Sequence, residues 1–156
     1  MRALIAIATA TALAACGQSQ SSAPAAASAP TPSASLNLAQ AGARLIEGET
    51  LVPVTFADGP LTQSGEAHGY ATNVYAFHAP AGATLDVTLT SPSTMLYFDI
   101  RNATDGAIVY NSTMGDNADA WSGALAEGDY LVRPFLYRNA ARRGDSAQYT
   151  IALTLR

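Results

Sequence analysis

Arg138, Arg142 and Arg143 fall in or at the edge of RNAARRG, a stretch between two strand-like runs, and they are three of the chain's eight basic residues. Tyr137 and Asn139 share the stretch. Guanidinium groups form planar, charge-assisted hydrogen bonds to carboxylates. That is binding chemistry: such groups can meet a carboxylate on a partner and transform nothing.

Residues for catalysis are scarce. His68 and His78 are the only two histidines, ten positions apart. A histidine pair with an acidic neighbour could bind zinc, but the spacing follows no recognised pattern and no third ligand is evident. Both are expected at the surface or half buried. No nucleophile elbow or Ser-His-acid arrangement occurs. Asp116 and Asp119 lie close together in GDNADAWSG. Paired carboxylates can do acid–base work on sugars, yet a polar loop offers nothing to raise one of their pKa values. A phosphate-cradling glycine loop is absent. The sequence therefore reads as a non-enzyme with no cofactor and no metal.

Two further features suit partner contact. In GDYLVRPFLYR, Tyr130, Val132 and Leu136 share one face of a strand, and Leu131, Arg133, Phe135 and Tyr137 the other. Either the second set is exposed as an interface, or the strand is central and both faces are buried. GDNADAWSG holds the only tryptophan, Trp121, beside Asp119 and Ser122. Tryptophan and arginine are frequent interface anchors, and a lone tryptophan is as often core.

The elements that position these residues read as strands. In TLDVTLT, Leu85, Val87 and Leu89 face one way. In MLYFDIR, Leu96, Phe98 and Ile100 do, with Asp99 and Arg101 opposite. AQYTIALTLR aligns Tyr149, Ile151, Leu153 and Leu155. TLVPVTF reads as an edge strand because Pro53 lacks a ladder donor. GEAHGYATNVYAFHA (65–79) alternates towards its end and reads as a single run. LAQAGARLIEG carries only a weak helical signal. Period two with Gly, Pro and Asp turns predicts an all-β fold, an antiparallel sandwich of seven to eight strands, with a barrel left open.

The chain has 156 residues and a formal net charge of −4, from 12 acidic residues and 8 basic ones, all arginine. That balance excludes a backbone-tracking nucleic-acid binder and favours a cationic partner. The start, MRALIAIATATALAACG, is a secretory signal too short to span a membrane. LAAC closes it at Cys16, the only cysteine, so the mature fold has no internal disulfide. The segment resembles the bacterial lipoprotein signal. That resemblance implies cleavage before Cys16, acylation there with palmitate-type chains, and, with Gly17 following, sorting to the outer membrane. GQSQSSAPAAASAPTPSASL is a flexible tether by composition. The expected organisation is a signal over 1–15, lipidated cysteine and tether over 16–48, and the domain over 49–156. A homodimer is left open.

Several stretches carry a second resemblance. VTFADGPLTQSGEAHGYATNVYAFHAPAGATLDVTL, MLYFDI and above all WSGALAEGDYLVRPFLYRNAARRGDSAQYTIALTL resemble the bacterial periplasmic inhibitors of animal lysozymes, of the invertebrate and goose types. The most specific part is Arg138, Asn139, Ala141 and Arg142, followed by an alternating strand. The resemblance implies a β-sandwich that occludes the lysozyme cleft with a loop and basic residues. Arg138, Arg142 and Arg143 fall on the basic motif. Trp121, Ser122 and Gly123 fall near the inhibitory loop; that loop offers a serine and a tyrosine in some members, and this chain has Asp119 and Trp121 in the neighbourhood, without a residue-for-residue match. The implied partner is a cationic host lysozyme, met in the periplasm. The alternative is a non-catalytic module that binds an envelope glycan or protein.

Overall fold

The computed structural model describes residues 35–156. The signal, Cys16 and most of the tether lie outside the described residues. In chain order the elements are α1 (Leu38–Gly42), β1 (Glu49–Pro53), β2 (Leu61–His68), β3 (Thr72–Ala79), β4 (Thr84–Thr90), β5 (Leu96–Asn102), β6 (Ile108–Asn111), β7 (Ala120–Ala124), β8 (Gly128–Leu136), α2 (Arg138–Arg143) and β9 (Ser146–Leu155). One sheet has five strands in the order β1-β3-β8-β5-β6, and the other has four in the order β2-β9-β4-β7. Each sheet has two free edges, so the molecule is a sandwich and not a closed barrel.

The alternating residues build the core between the sheets. Leu85, Val87 and Leu89 meet Tyr149, Ile151 and Leu153 on one side, and Leu96, Phe98, Ile100, Tyr75, Phe77 and Val132 on the other. Burying each large apolar side chain contributes roughly 1.5–3 kcal/mol. Gly65 sits opposite Tyr149 in the β2–β9 ladder. A Cβ there would come within 2.6 Å of the Tyr149 ring, so the glycine makes room for it.

Among the described residues nine strands form, where seven to eight were expected. The 65–79 run is two strands, not one. The chain turns at Gly69, whose φ of 58° lies in the left-handed region, and moves from one sheet to the other. The extra crossing has a second effect. β1 and β3 pair in parallel, an exception to the otherwise antiparallel ladders, because the intervening β2 is laid down in the opposite sheet.

The outer face of the five-stranded sheet is partly roofed. Asn37 caps α1 by accepting from the Gln40 N–H at 3.1 Å. The helix seats the buried Ala41 on Val74, Ala76, Ala103 and Leu131, with Leu36, Leu45 and Leu51 around them. Asp129 ties this segment down, accepting from the Asn37 N–H at 2.9 Å and lying 2.8 Å from His78 Nδ1. Residues 36–45, which fall within the expected tether span of 16–48, thus lie on the sheet. Their apolar side chains cover Leu131, which would otherwise face water.

Candidate functional site

β8 is the middle strand of its sheet, which settles how its two faces are used. Leu131 and Val132 are both buried, one under α1 and one in the core. Pairing with β3 ends at Val132, whereas pairing with β5 continues to Leu136. Pro134 therefore stands where the strand has a neighbour on one side only, a position that tolerates its missing N–H. Beyond the roof, the outer face opens. Phe135 is half buried, and Tyr137 is 44% exposed.

The RNAARR stretch, expected as a loop, winds into the short helix α2 and ends at Gly144 in the left-handed region, with φ of 73°. Ala140 and Ala141 bury themselves against the core, which sends Arg138, Asn139, Arg142 and Arg143 to solvent. Small residues on one side and arginines on the other make this helix a display device. Arg143 is ion-paired with Asp145. Neither Arg138 nor Arg142 has a hydrogen bond or ion pair among the described residues.

Arg138 stands on the rim of a groove of about 250 Å³ in the outer face of the five-stranded sheet. Its lining includes Glu49, Tyr70, Thr72, Asp99, Arg101, Arg133 and Phe135. Asp99 and Arg133 are cross-strand partners on β5 and β8, and both are at least nine-tenths buried. The Arg101 guanidinium donates twice to Asp99 Oδ2, from Nε at 3.0 Å and Nη2 at 2.7 Å. These bonds hold the Arg101 pKa above its ordinary value. Glu49 lies beside Arg133, Oε1 to Nε 2.7 Å, and accepts from the Ile46 N–H at 2.9 Å. Burial pushes the Glu49 carboxyl upward, against the opposing pull of that N–H and of Arg133.

Among the described residues, three polar atoms of groove-lining residues are sealed from solvent and make no hydrogen bond: Thr72 Oγ1, Asp99 Oδ1 and Arg133 Nε, the last of them ion-paired with Glu49. The Arg133 N–H is close to Glu49 but not aimed at its oxygen. Sequence reasoning placed Asp99 and Arg101 opposite the apolar face of their strand and gave Glu49 and Thr72 no role. The signal available was a charge at alternate positions of otherwise apolar strands. Nothing local says that those charges meet across β5, β8 and β1.

The second predicted region is built differently. Trp121 and Ser122, expected in a loop, belong to the edge strand β7, with Trp121 opposite Val87 and Ser122 opposite Asp86. Trp121 shares the inward face of Val87. Its ring lies 5.8 Å from that of Tyr110, which is 5.5 Å from Phe98. The tryptophan closes the gap between the sheets at the β6–β7 side. Ser122 points the other way and donates to Asp86 at 2.6 Å, and Asp86 also pairs with Arg156. Asp116 and Asp119 are exposed, and the Asp119 N–H donates to Asn117 at 2.9 Å. No hydrogen bond or ion pair links this region to α2 among the described residues.

His68 is exposed and hydrogen-bonds Ser146 at 2.8 Å. Half-buried His78 bonds Asp129 on the far end of β3. Among the described residues no group of three or more His, Cys, Asp or Glu is gathered to hold a metal ion.

No protein-family model matches the chain, and no curated protein matches it. Solved structures do. The crystal structure of Aeromonas hydrophila PliG, a periplasmic lysozyme inhibitor of g-type lysozyme, is 30% identical with a TM-score of 0.60, over 69% of this chain and 97% of that one. A mutant of the Escherichia coli PliG is 22% identical with a TM-score of 0.55, over 70% and 99%. The Salmonella Typhimurium PliG is 22% identical with a TM-score of 0.53, over 68% and 98%. The last two support the shared fold.

Proposed function

Because this chain belongs to the PliG family of periplasmic lysozyme inhibitors, we propose that it inhibits a g-type lysozyme from the cell envelope, using the arginines of α2. The family is one of inhibitors, and the chain is a binding protein and not an enzyme. The observation that carries the site assignment is on α2. A buried alanine pair projects Arg138 and Arg142 into solvent, and neither has a hydrogen bond or ion pair among the described residues. An acidic body attracts a cationic enzyme. The free guanidinium groups then meet a carboxylate in the substrate cleft, with Tyr137 and Asn139 beside them. Arg143, paired with Asp145, has the smaller part. Trp121 supports the sandwich from within, and Asp119 and Ser122 form a second, outlying contact.

The finer expectation on location is that Cys16 carries the lipid and holds the domain in the periplasm at the outer membrane, close to the wall that lysozyme attacks. Two measurements test this reading. Purified protein titrated against g-type lysozyme on cell walls inhibits with saturation, and Arg142→Ala weakens inhibition while the thermal midpoint stays. Absence of binding at micromolar concentration excludes the function. Cys16→Ser releases the protein from membranes into the soluble periplasm; unchanged membrane partition excludes the anchor.

A further inference from the structure

We propose that Tyr97, Phe135 and Tyr137 form an aromatic platform that seats an apolar patch of the lysozyme beside its substrate cleft, so that the outer face of the five-stranded sheet supplies the apolar core of the interface that α2 begins. The proposal rests on the inhibitor reading above and extends its contact surface from the helix to β5 and β8. The starting point is where these rings stand. Other packed rings serve the core: Phe56 and Tyr130 meet Phe77, and Tyr110 bridges Phe98 and Trp121, all in the cluster between the sheets. Tyr97, Phe135 and Tyr137 belong to neither hydrophobic cluster of the described residues. They pack on one another instead, with the Tyr97 ring centroid 6.3 Å from that of Phe135 and 5.9 Å from that of Tyr137.

Backbone pairing holds the rings in place. Tyr97 and Phe135 are cross-strand partners on β5 and β8, and the Tyr137 N–H donates to the Met95 carbonyl at 2.7 Å. Further back on the same face of β8, α1 covers Leu131. Between that roof and the rings lie Asp99 and Arg133, ion-paired with Arg101 and Glu49. Two carboxylates and two guanidinium groups cancel, so the row leading to the platform carries no net charge. The tyrosine hydroxyls differ as well. Tyr75 lies 3.4 Å from the Tyr149 hydroxyl, and Tyr130 donates to the Ala126 carbonyl at 3.1 Å. Among the described residues the Tyr97 and Tyr137 hydroxyls make no hydrogen bond.

The occupant follows from what α2 lacks. A stable protein interface covers roughly 800 Å² on each partner and sets an apolar, aromatic-rich core inside a polar rim. The six residues of α2 turn two alanines inward and polar side chains outward, which is rim chemistry. The platform adjoins the helix directly. Tyr137 is the N-cap of α2, and its carbonyl accepts from the Ala141 N–H at 3.0 Å. A lysozyme that reaches the α2 arginines therefore comes to lie against the rings. Aromatic side chains bury roughly 150–250 Å² each. Rings with two torsions, already packed together, lose little freedom on binding. The neutral row lets that contact form without bringing a further charge against the cationic enzyme.

Surface plasmon resonance of the intact protein against g-type lysozyme, with a thermal melt of each variant, tests the platform. Tyr97→Ala weakens binding about tenfold, and the loss lies in faster dissociation, because an uncharged ring does not steer the encounter. Tyr97→Phe keeps the ring and binds within about twofold of wild type. Tyr137→Ala, at a site 44% exposed, repeats the loss with an unchanged melt, and it decides the test where Tyr97→Ala does not fold. If every folded alanine variant binds like wild type while Arg142→Ala binds weakly, the platform is overturned and the α2 reading stands. If wild type does not bind lysozyme at micromolar concentration, both fall. Sedimentation of the protein alone covers the other occupant. A wild-type dimer that Tyr97→Ala dissociates, with lysozyme affinity unchanged, assigns the rings to a second copy of this chain and overturns the proposal.

Discussion

Helix α2 turns its large side chains outward, and strand β7 turns its largest one in. In α2 the buried positions are Ala140 and Ala141, too small to need more than a foothold, and the arginines are left to solvent. In β7 the edge-strand register puts Trp121 on the inward face opposite Val87, where its ring meets Tyr110. An anchor residue becomes interface or core according to the element that carries it. A short helix with two small inward residues displays; a sheet edge with one large inward residue packs. The two regions should therefore fail in different currencies when altered, one in affinity and the other in stability.

The largest effect is expected at α2. Arg142→Ala should cost roughly 2–5 kcal/mol of lysozyme affinity if it meets a desolvated carboxylate, with stability within about 0.5 kcal/mol of wild type. Lysine should restore only part, lacking the planar fork. Paired measurement of inhibition constant and thermal midpoint checks this. A fallen midpoint with unchanged affinity of the folded fraction would place Arg142 on the structural side of the comparison.

Trp121→Ala should show the reverse. Truncating a buried aromatic costs about 3–5 kcal/mol in a full core, and a half-buried edge site should lose somewhat less. Urea unfolding monitors it, and affinity corrected for the folded fraction should be nearly unchanged. A sharper probe is Gly123→Ala. The new Cβ would approach the Trp121 ring to 2.4 Å, so the indole must shift, at roughly 1–3 kcal/mol for an overpacked site. Red-shifted tryptophan emission with lowered stability is the expected pair of signals. An unshifted spectrum would show that the ring is not held where the packing puts it.

Arg143→Ala should do least at α2, because an exposed ion pair such as Arg143–Asp145 contributes about 0–1 kcal/mol. High salt should erase the difference between wild type and variant.

Glu49 supplies a pH test of the roofed groove. Burial holds its carboxyl above its ordinary value of 4.5, so in the window just above 4.5 the folded state binds the proton more tightly than the unfolded one. Stability attributable to Glu49 therefore falls as pH rises through that window and recovers as pH falls. The stability of wild type relative to Glu49→Gln should improve as pH is lowered from neutral towards 4.5. Equal pH profiles would show that the groove does not desolvate this carboxyl.

The legible part of this protein is the part governed by neighbours in the chain. The stripes Leu85–Val87–Leu89, Leu96–Phe98–Ile100 and Tyr149–Ile151–Leu153 follow from side chains alternating across a pleated strand, and they became the core. Pro53 correctly marked an edge strand, for the lack of an N–H is local too. The basic stretch was visible as a cluster, and its solvent exposure agrees with its composition.

Tertiary structure decided which face is covered by what. β8 has two apolar faces, and only its central place between β3 and β5 explains both. Nothing near Leu131 in the chain predicts that Ala41 lies on it. RNAARR became helical because its alanines found a core to cover, and Trp121 turned inward because β7 paired with β4 in one register and not its neighbour. The groove is the clearest case. Thr72, Asp99 and Arg133 come from three strands, and each is unremarkable where it stands in the sequence. Periodicity fixes which way a side chain points; strand order, a contest among contacts distant in sequence, fixes what it points at.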